Sequence, residues 1–214
     1  MILTVASFKG GKIRFPVPTH FCEGETIGHR DASRMLRPVA PDLFEQTVLP
    51  QAINVMEAIG DLPAIKSGEE AMTYDQRPRN DYQRARRKKT KSLTLHNSTR
   101  HTPKMLEIIR HSGPNISSIP KGLITSGFSS CYSRLDADEP SVTITVNFVH
   151  PASNRCIHPV LDRALTPREG ARLQSFDDDF CFVGNRAQVA KQIGNAVPPL
   201  LGTSIAESLA PVLK

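Results

Sequence analysis

The sequence predicts an α/β protein made of short helices and short strands joined by long loops. Apolar and polar residues alternate over residues 141–148, which is the pattern of a half-buried strand. Apolar residues recur instead at helical spacing over residues 51–59, 103–111 and after Pro198. Hydrophobic residues make up only 39% of the chain and 17 prolines interrupt it, which favours a loop-rich protein. A chain of 214 residues is long enough for one domain, or for a small domain with an appendage.

The charge balance points mildly towards a polyanionic partner. Twenty-seven Lys and Arg residues against 21 Asp and Glu residues give a net charge of +6. Many basic proteins bind no nucleic acid, so the net charge leaves the partner open.

The cysteines indicate a reducing, cytoplasmic environment. The four residues are widely spaced, form no Cys-x-x-Cys pair and follow no signal peptide. A zinc site made by Cys156, His150 and His158 is conceivable, but both histidines precede prolines in a turn-like stretch, so no metal is expected. No apolar run approaches the roughly 20 residues of a membrane helix.

The N-terminal third predicts a hairpin, an insertion and a helix. Residues 1–7 are typical of a buried strand, and the Gly10-Gly11 turn leads into a second strand over residues 13–15. A strand after these glycines argues against a cofactor-binding loop, which would open a helix. Residues 21–50 are polar and interrupted by prolines. The helix over residues 51–59 ends at Gly60, and residues 64–75 form a loop.

The densest charge run covers residues 76–91 and holds eight cations against the single Asp81. Such a run is not expected to be buried. It is either a solvated linker or a segment that contacts phosphates, and the charge alone does not separate the two. Tyr82 within the run either stacks on a base or anchors the loop.

The remaining elements are predicted from caps and periodicity. Thr102 caps a helix over residues 103–111, and a Gly/Pro/Ser-rich loop covers residues 112–130. Thr166 and Glu169 form a capping box for a helix that ends near Gln174. Residues 180–183 resemble a strand. A final helix from Pro198 carries one apolar stripe, made by Leu201, Ile205, Leu209 and Val212.

Two blocks near the C-terminus resemble the last two motif blocks of the DNA cytosine-5 methyltransferases. They are RALTPREGARLQSF at residues 163–176 and QIGNAVPP at residues 192–199, followed by an amphipathic helix. Asp177 departs from the pattern, since members usually have proline there. Weaker similarity extends the resemblance over nearly the whole chain, at residues 13–20, 57–63, 134–145 and 154–159.

The resemblance implies a small DNA-recognition domain of the α+β type and a C-terminal segment that docks on a Rossmann-like domain missing from this chain. Residues 1–75 would be the end of the catalytic domain and a connecting segment, residues 76–190 the recognition domain, and residues 191–214 the closing loop and helix. The family binds S-adenosylmethionine and double-stranded DNA, and flips the target cytosine into the cleft between its two domains.

The resemblance also implies roles for individual residues. Asn195, Ala196 and Val197 would line the donor pocket. Thr145 would touch a backbone phosphate, although an ordinary exposed strand threonine is equally compatible with its position. The helix after Thr166 would brace the small domain, with Arg163, Thr166, Arg168 and Glu169 as structural residues. The remaining candidates for DNA contact are Arg134 and four residues of the basic run, Arg84, Arg86, Arg87 and Lys88. For the run, contacts with phosphates are favoured over contacts with base edges.

The chain lacks the residues that would carry out the chemistry. Attack on C6 of cytosine requires a thiolate, which the family supplies from a Pro-Cys pair. Here the cysteines follow Phe21, Ser130, Arg155 and Phe180. The Glu-Asn-Val triplet, the Gly-rich donor loop and the Gln-x-Arg-x-Arg block are also absent, so no catalytic residue is expected. Three hypotheses remain open: a subunit completed by a second chain with the catalytic motifs, an inactive truncated fragment, and a stand-alone DNA-binding module.

Overall fold

The computed structural model describes residues 16–22, 49–88 and 90–212. The chain divides into two compact units, one formed by residues 54–198 and the other by residues 1–53 with 199–214. The strands predicted over residues 1–7 and 13–15 lie outside the described residues. The described elements mix helix and strand, as predicted, with helix predominating.

The first helix of the larger unit, α1 (Val55–Ile59), begins at a capping box. The Asn54 side chain accepts the Glu57 N–H at 2.7 Å, and the Glu57 carboxylate accepts the Asn54 N–H at 3.0 Å. This cap starts the helix four residues later than the predicted residue 51, whereas Gly60 ends it as predicted. Val55, Ala58 and Ile59 are buried.

The basic run forms a helix, α2 (Asp81–Arg87), whose N-cap is Asn80. A solvated loop was one of two alternatives for this run, and it does not describe residues 81–87, which are helical. Gln83 is buried on α2, and α2 packs against α1. The arginines of α2 differ in exposure. Arg84 is exposed, whereas Arg86 and Arg87 are half-buried and pair with Asp177 and Asp61.

Helix α3 (Pro103–Arg110) confirms the prediction made from its cap. Thr102 accepts the Met105 N–H at 3.2 Å, and Ile108 and Ile109 are buried. The following loop contains one 3-10 turn, Ile116–Ser118.

The two strands among the described residues are short, and neither was predicted. β1 (Ser133–Arg134) and β2 (Arg155–Ile157) pair in parallel. The predicted strand over residues 141–148 is wrong, because this segment is irregular chain that ends in a turn. The Phe148 N–H bonds the Thr145 carbonyl at 3.2 Å, and the buried Ile144 and Phe148 lie four residues apart. The strand-like pattern at residues 180–183 is also irregular chain, in which Phe180 and Phe182 pack on Phe176.

Helix α4 (Pro167–Leu173) confirms the predicted capping box and lies at the centre of the larger unit, against α1 and α5. Helix α5 (Arg186–Asn195) was not predicted; it begins at a capping box of Asn185 and Gln188. Residues 192–195, interpreted from the sequence as a loop, form its last turn. The apolar stripe of α5 is short, with only Val189, Ala190 and Ile193 buried.

The described part of the smaller unit contains the predicted final helix. α6 (Pro199–Leu209) starts one residue later than predicted and continues into a 3-10 turn, Ala210–Val212. A parallel bridge joins Phe21 and Gln51. Within the described residues, no helix has the length and hydrophobicity that crossing a membrane requires.

Candidate functional site

Three fully buried arginines surround α4: Arg163, Arg168 and Arg172. A buried guanidinium is stable only when its charge is paired and its N–H groups are hydrogen-bonded. Each of the three meets this requirement with a different set of partners.

Arg163 forms a two-pronged pair with Glu169. Two N–H groups donate to the two carboxylate oxygens at 2.7 Å each, and Nε donates to the Ile65 carbonyl at 2.8 Å. The same carboxylate accepts the Thr166 N–H at 2.8 Å, so the capping box and the ion pair share one acid. Burial alone would raise the pKa of Glu169, but the Arg163 guanidinium outweighs burial and holds that pKa well below its usual range.

Two histidines complete this cluster. His158 Nδ1 accepts the N–H groups of Val160 and Leu161 at 3.1 and 3.0 Å, and Nε2 lies 3.7 Å from Glu169. Burial lowers the pKa of His158 to about 4, so its ring is neutral at pH 7. His96 bridges the Thr166 hydroxyl at 3.1 Å and the Pro63 carbonyl at 2.8 Å, and burial lowers its pKa as well. No sequence motif marked either histidine for this role.

Arg172 neutralises two buried acids at once. Its Nε and Nη2 lie 2.5 and 2.6 Å from the Asp178 carboxylate, and Nη1 lies 3.0 Å from Asp61. Asp61 is also 3.3 Å from Arg87, and the Tyr74 hydroxyl donates to Asp178. Burial, reinforced by Asp178, raises the pKa of Tyr74. This network ties α1, α2 and α4 to the turn after α4.

Arg168 holds α4 to the preceding chain. It donates to the carbonyl and the hydroxyl of Thr94 at 2.9 and 2.8 Å, and to the Asp177 carbonyl at 3.2 Å. Its charge is paired with the buried Asp178 carboxylate, which lies 3.9 Å from Nη1. Burial lowers the pKa of Arg168. Arg163, Thr166, Arg168 and Glu169 therefore all lie in the core, where a bracing role requires them.

Two residues of the basic run are engaged by the protein rather than by solvent. Arg86 donates to the Ser175 carbonyl at 2.6 Å and pairs with Asp177 at 3.0 Å. Arg87 pairs with Asp61 and lies 3.6 Å over the Tyr74 ring. Because each guanidinium group already pairs with an acid of the protein, phosphate contact by Arg86 and Arg87 is not favoured.

The same helix is anchored by Tyr82 and exposes two further cations. The Tyr82 hydroxyl donates to the Arg172 carbonyl at 2.5 Å, which selects the anchoring interpretation over base stacking. Arg84 and Lys88 stay 56% and 52% exposed; Arg84 pairs with Asp81, and Lys88 with Asp177 at 2.6 Å. They are the members of the predicted set that a polyanion can still reach.

Arg134 is half-buried and makes its hydrogen bonds within the protein, while its contact with DNA stays a prediction. Its side chain clamps α3 to the segment after β2. The guanidinium donates to Asp162 at 2.9 Å and to four carbonyl groups, those of Ile109, Ser112, His158 and Leu161. With five protein acceptors, this arginine stabilises the fold.

The last turn of α5 lies directly against the segment that holds Thr145. A Cβ atom added at Gly194 would stand 2.6 Å from Thr145 C and from Val146 N, so only glycine permits this approach. Thr145 is half-buried, whereas Thr143 is exposed. Asn195 and Val197 are exposed beside this contact, and Ala196 is half-buried. The structure thus brings together the residues predicted for phosphate and for donor contact.

The alternative of a zinc site is not supported. In the ranges that the structure describes, no group of three His, Cys, Asp or Glu residues is placed to hold a metal. The Cys156 thiol donates to the His150 carbonyl at 3.1 Å, and burial raises the pKa of Cys156 to about 11. His158 Nδ1 is occupied by backbone N–H groups, as described above.

A family model described as C-5 cytosine-specific DNA methylase matches residues 27–210. The chain belongs to this DNA methylase family. The type II methyltransferase M.DdeI of Desulfomicrobium norvegicum is 33% identical over 177 residues, which cover 72% of this chain and 42% of that protein. The DNA methylase chain therefore spans less than half the length of this relative.

Two further comparisons differ in coverage. The type II methyltransferase M.AquIB of Picosynechococcus sp. is 38% identical over 128 residues, which cover 54% of this chain and 86% of that protein. A crystal structure of a DNA modification methyltransferase encoded within an E. coli prophage superposes with a TM-score of 0.56. The two sequences are 23% identical, and the superposition covers 77% of this chain and 49% of the E. coli chain. At this identity the likeness supports a shared fold and nothing beyond it.

Within this DNA methylase chain, Gly194→Ala is expected to lower the free energy of unfolding by about 1–3 kcal/mol, because the new methyl group meets backbone atoms that cannot rotate away. Gly202→Ala in α6 is the matched control, since nothing lies within 4 Å of its Cβ position. That change should stabilise the chain by about 0.5–1 kcal/mol. Urea unfolding followed by circular dichroism measures both, and equal stabilisation by both variants would contradict the Gly194 contact.

Proposed function

We propose that this chain is the DNA-recognising C-terminal portion, or a subunit, of a DNA (cytosine-5-)-methyltransferase. It recognises DNA and completes the S-adenosylmethionine pocket for methyl transfer to cytosine C5. The observation that carries the proposal is the packing of α5 on residues 145 and 146, because it joins the last motif block to the recognition segment through backbone contact.

The chemistry requires a nucleophile, and the Pro-Cys pair that supplies it in the family does not occur in these 214 residues. A thiolate must add to C6 of cytosine before C5 can accept a methyl group. No cysteine follows a proline, Cys131 and Cys156 are buried, and the raised pKa keeps the Cys156 thiol protonated at neutral pH. The nucleophile and the donor loop would therefore come from a catalytic part outside this sequence.

The donor would be held only in part by this chain. S-adenosylmethionine supplies an electrophilic methyl group when it is bound. Asn195 and Val197 are exposed at the end of α5, which suits one wall of a pocket whose other wall is elsewhere. The backbone of Asn195 is held in the last turn of α5, which packs on Thr145 through Gly194. This side of the pocket would therefore be fixed before the donor binds.

DNA would be bound by exposed groups of the larger unit. The net charge is +6, and Arg84 and Lys88 remain accessible on α2. Thr143, which is exposed, is better placed than the half-buried Thr145 to donate its hydroxyl group to a phosphate. Double-stranded DNA is therefore the expected partner, with phosphate contacts spread over α2 and the segment before Phe148.

A second chain with the catalytic motifs is the partner that fits this arrangement. M.AquIB, named a type II methyltransferase, is matched over most of its own length by a segment of this chain. A chain of this size in the same family supports a division of the enzyme between two polypeptides. An inactive fragment and a stand-alone DNA-binding module are the other two outcomes of the test below.

The purified chain is expected to bind mixed-sequence duplex DNA with an affinity that falls as salt rises, but to transfer no methyl group from labelled S-adenosylmethionine. Adding a chain that carries the donor loop and a Pro-Cys pair, encoded beside this one, should produce labelled DNA. The same added chain with its Pro-Cys cysteine changed to serine is the control and should give none.

Three results would count against the proposal. Label incorporated by the chain alone, from a preparation free of host methyltransferases, would place the nucleophile within these residues. DNA binding with no methylation by the combination would favour the stand-alone module. Absence of DNA binding in both conditions would favour the inactive fragment.

A further inference from the structure

One large aromatic side chain stands out in the loop between α3 and β1. Phe128 is 70% exposed, and its neighbours in sequence are Gly and Ser residues, which give the ring no apolar surroundings. An isolated exposed apolar residue is ordinary on a protein surface, so exposure alone decides nothing. Two further observations point to a ligand: the backbone on either side of Phe128 is fixed, and the loop carries no acidic residue.

The backbone around Phe128 is held in place. The Ile116 N–H donates to the Ser129 carbonyl at 2.9 Å, and the Cys131 N–H donates to the Phe128 carbonyl at 3.0 Å. Gly127 is packed so closely that an added Cβ would meet Ile116 Cδ1 at 2.7 Å and Cys131 Cβ at 3.2 Å. The loop is thus fixed before and after Phe128, while the ring itself points to solvent. A fixed backbone lowers the conformational entropy that the ring would lose on binding.

The loop suits a polyanion better than an apolar protein surface. Residues 108–135 contain no Asp or Glu, and Arg110 and Lys121 are exposed within them. Eight Ser and Thr residues in the same stretch offer hydroxyl donors, which are common partners of phosphate oxygens. Without acids to repel phosphates, this loop can approach the nucleic-acid backbone closely enough for the ring to reach a base.

We propose that Phe128 inserts into duplex DNA and stacks on a base when the chain binds. The inference rests on the proposed function, since it assigns a contact within that DNA complex. An apolar side chain inserted at a base step partly unstacks it, and the aromatic face then replaces the lost base–base contact. Phe128 would therefore position the DNA on the recognition unit and favour sequences whose steps open easily.

The absence of tryptophan from the sequence allows a direct test. Phe128→Trp introduces a single indole that can still stack, and stacking on a base quenches its emission. Met72→Trp is the matched control, since Met72 is 67% exposed in the same unit but lies in a different loop. Titration of the 214-residue chain with mixed-sequence duplex DNA should quench Phe128→Trp and leave Met72→Trp nearly unchanged.

The affinity of two further variants separates stacking from simple apolar contact. Phe128→Ala should weaken binding of the same duplex by about 5-fold to about 150-fold, the range measured for loss of one stacked aromatic. Phe128→Leu should lose most of the same affinity if the ring stacks, but retain it if the side chain is only an apolar wedge. Phe128→Trp should bind as tightly as the unchanged chain.

The outcomes distinguish this inference from the proposed function. If the unchanged chain binds DNA but Phe128→Trp is not quenched and Phe128→Ala binds equally well, the stacking contact is wrong and the proposed function stands. If DNA is bound neither by the unchanged chain nor by its combination with the catalytic chain, both are wrong. Quenching of Phe128→Trp by an added catalytic chain without DNA would assign the ring to a protein interface and overturn the inference.

Discussion

Replacing Arg172 by leucine is expected to lower the free energy of unfolding by about 3–5 kcal/mol. The change leaves Asp61 and Asp178 buried with much of their compensating charge removed, and both side chains are fully shielded from solvent. Arg87 and Tyr74 remain near these acids but cannot replace the hydrogen bonds that Arg172 supplies. Urea unfolding at neutral pH measures the difference.

Arg84→Ala is the matched control on the neighbouring helix. Arg84 pairs with Asp81 in solvent, with side chains 56% and 97% exposed, and such pairs contribute at most about 1 kcal/mol. A loss for Arg172→Leu no larger than that for Arg84→Ala would show that the buried network does not hold the fold together.

Stability is expected to fall by roughly 3 kcal/mol from His158 alone as the pH drops from 6.5 to 4. In the folded chain burial lowers the pKa of His158 to about 4, whereas in the unfolded chain it is near 6.5. Between these values the unfolded chain binds a proton that the folded chain does not. The stability that His158 contributes is thus fully present above pH 6.5 and is lost as the pH falls towards 4.

Other histidines act in the same direction. Burial lowers the pKa of His101 to about 4 and also lowers that of His96, so the total loss should exceed the share of His158. Unfolding free energies measured at several pH values between 7 and 4 should show a smaller slope for His158→Gln. His111→Gln, at an exposed position, is the matched surface control. An unchanged slope for His158→Gln would mean that the pKa of His158 is the same in the folded and the unfolded chain.

The helix caps were predictable because their partners lie three residues away. Thr102 with Met105 and Thr166 with Glu169 are local contacts, so the sequence contains both partners in one short window. The motif blocks likewise identified the family, and the Thr166 box placed α4 correctly. Local hydrogen bonding is the common reason for these successes.

The roles of the charged residues could not be predicted in the same way. Asp61 lies 26 residues from Arg87 and 111 residues from Arg172, and no pattern within the charge run indicates such distant partners. The run was therefore interpreted as solvent-exposed or DNA-bound, although two of its arginines hold the core. The partners of Arg134 were not predicted for the same reason, since its acceptors come from two segments more than 20 residues away.

Two secondary-structure errors also have physical causes. The alternation over residues 141–148 suggested a strand, but the buried side chains are Ile144 and Phe148, which are brought to one side by a turn. Helix α5 was missed because its buried face consists of only Val189, Ala190 and Ile193, too small a set to give a clear helical period.

The close contacts at two glycines limit which segments could be exchanged between this chain and its relatives. Gly194 abuts the backbone of residues 145–146, and an added Cβ at Gly170 would lie 2.3 Å from the Phe148 ring. If a transplanted segment ended between residue 148 and α4, residues 141–148 would come from one protein and helices α4 and α5 from the other. The two close contacts would then join parts of different proteins. A chimera is therefore better joined before residue 141, so that residues 141–198 are inherited as one block and only the loops that precede them are traded.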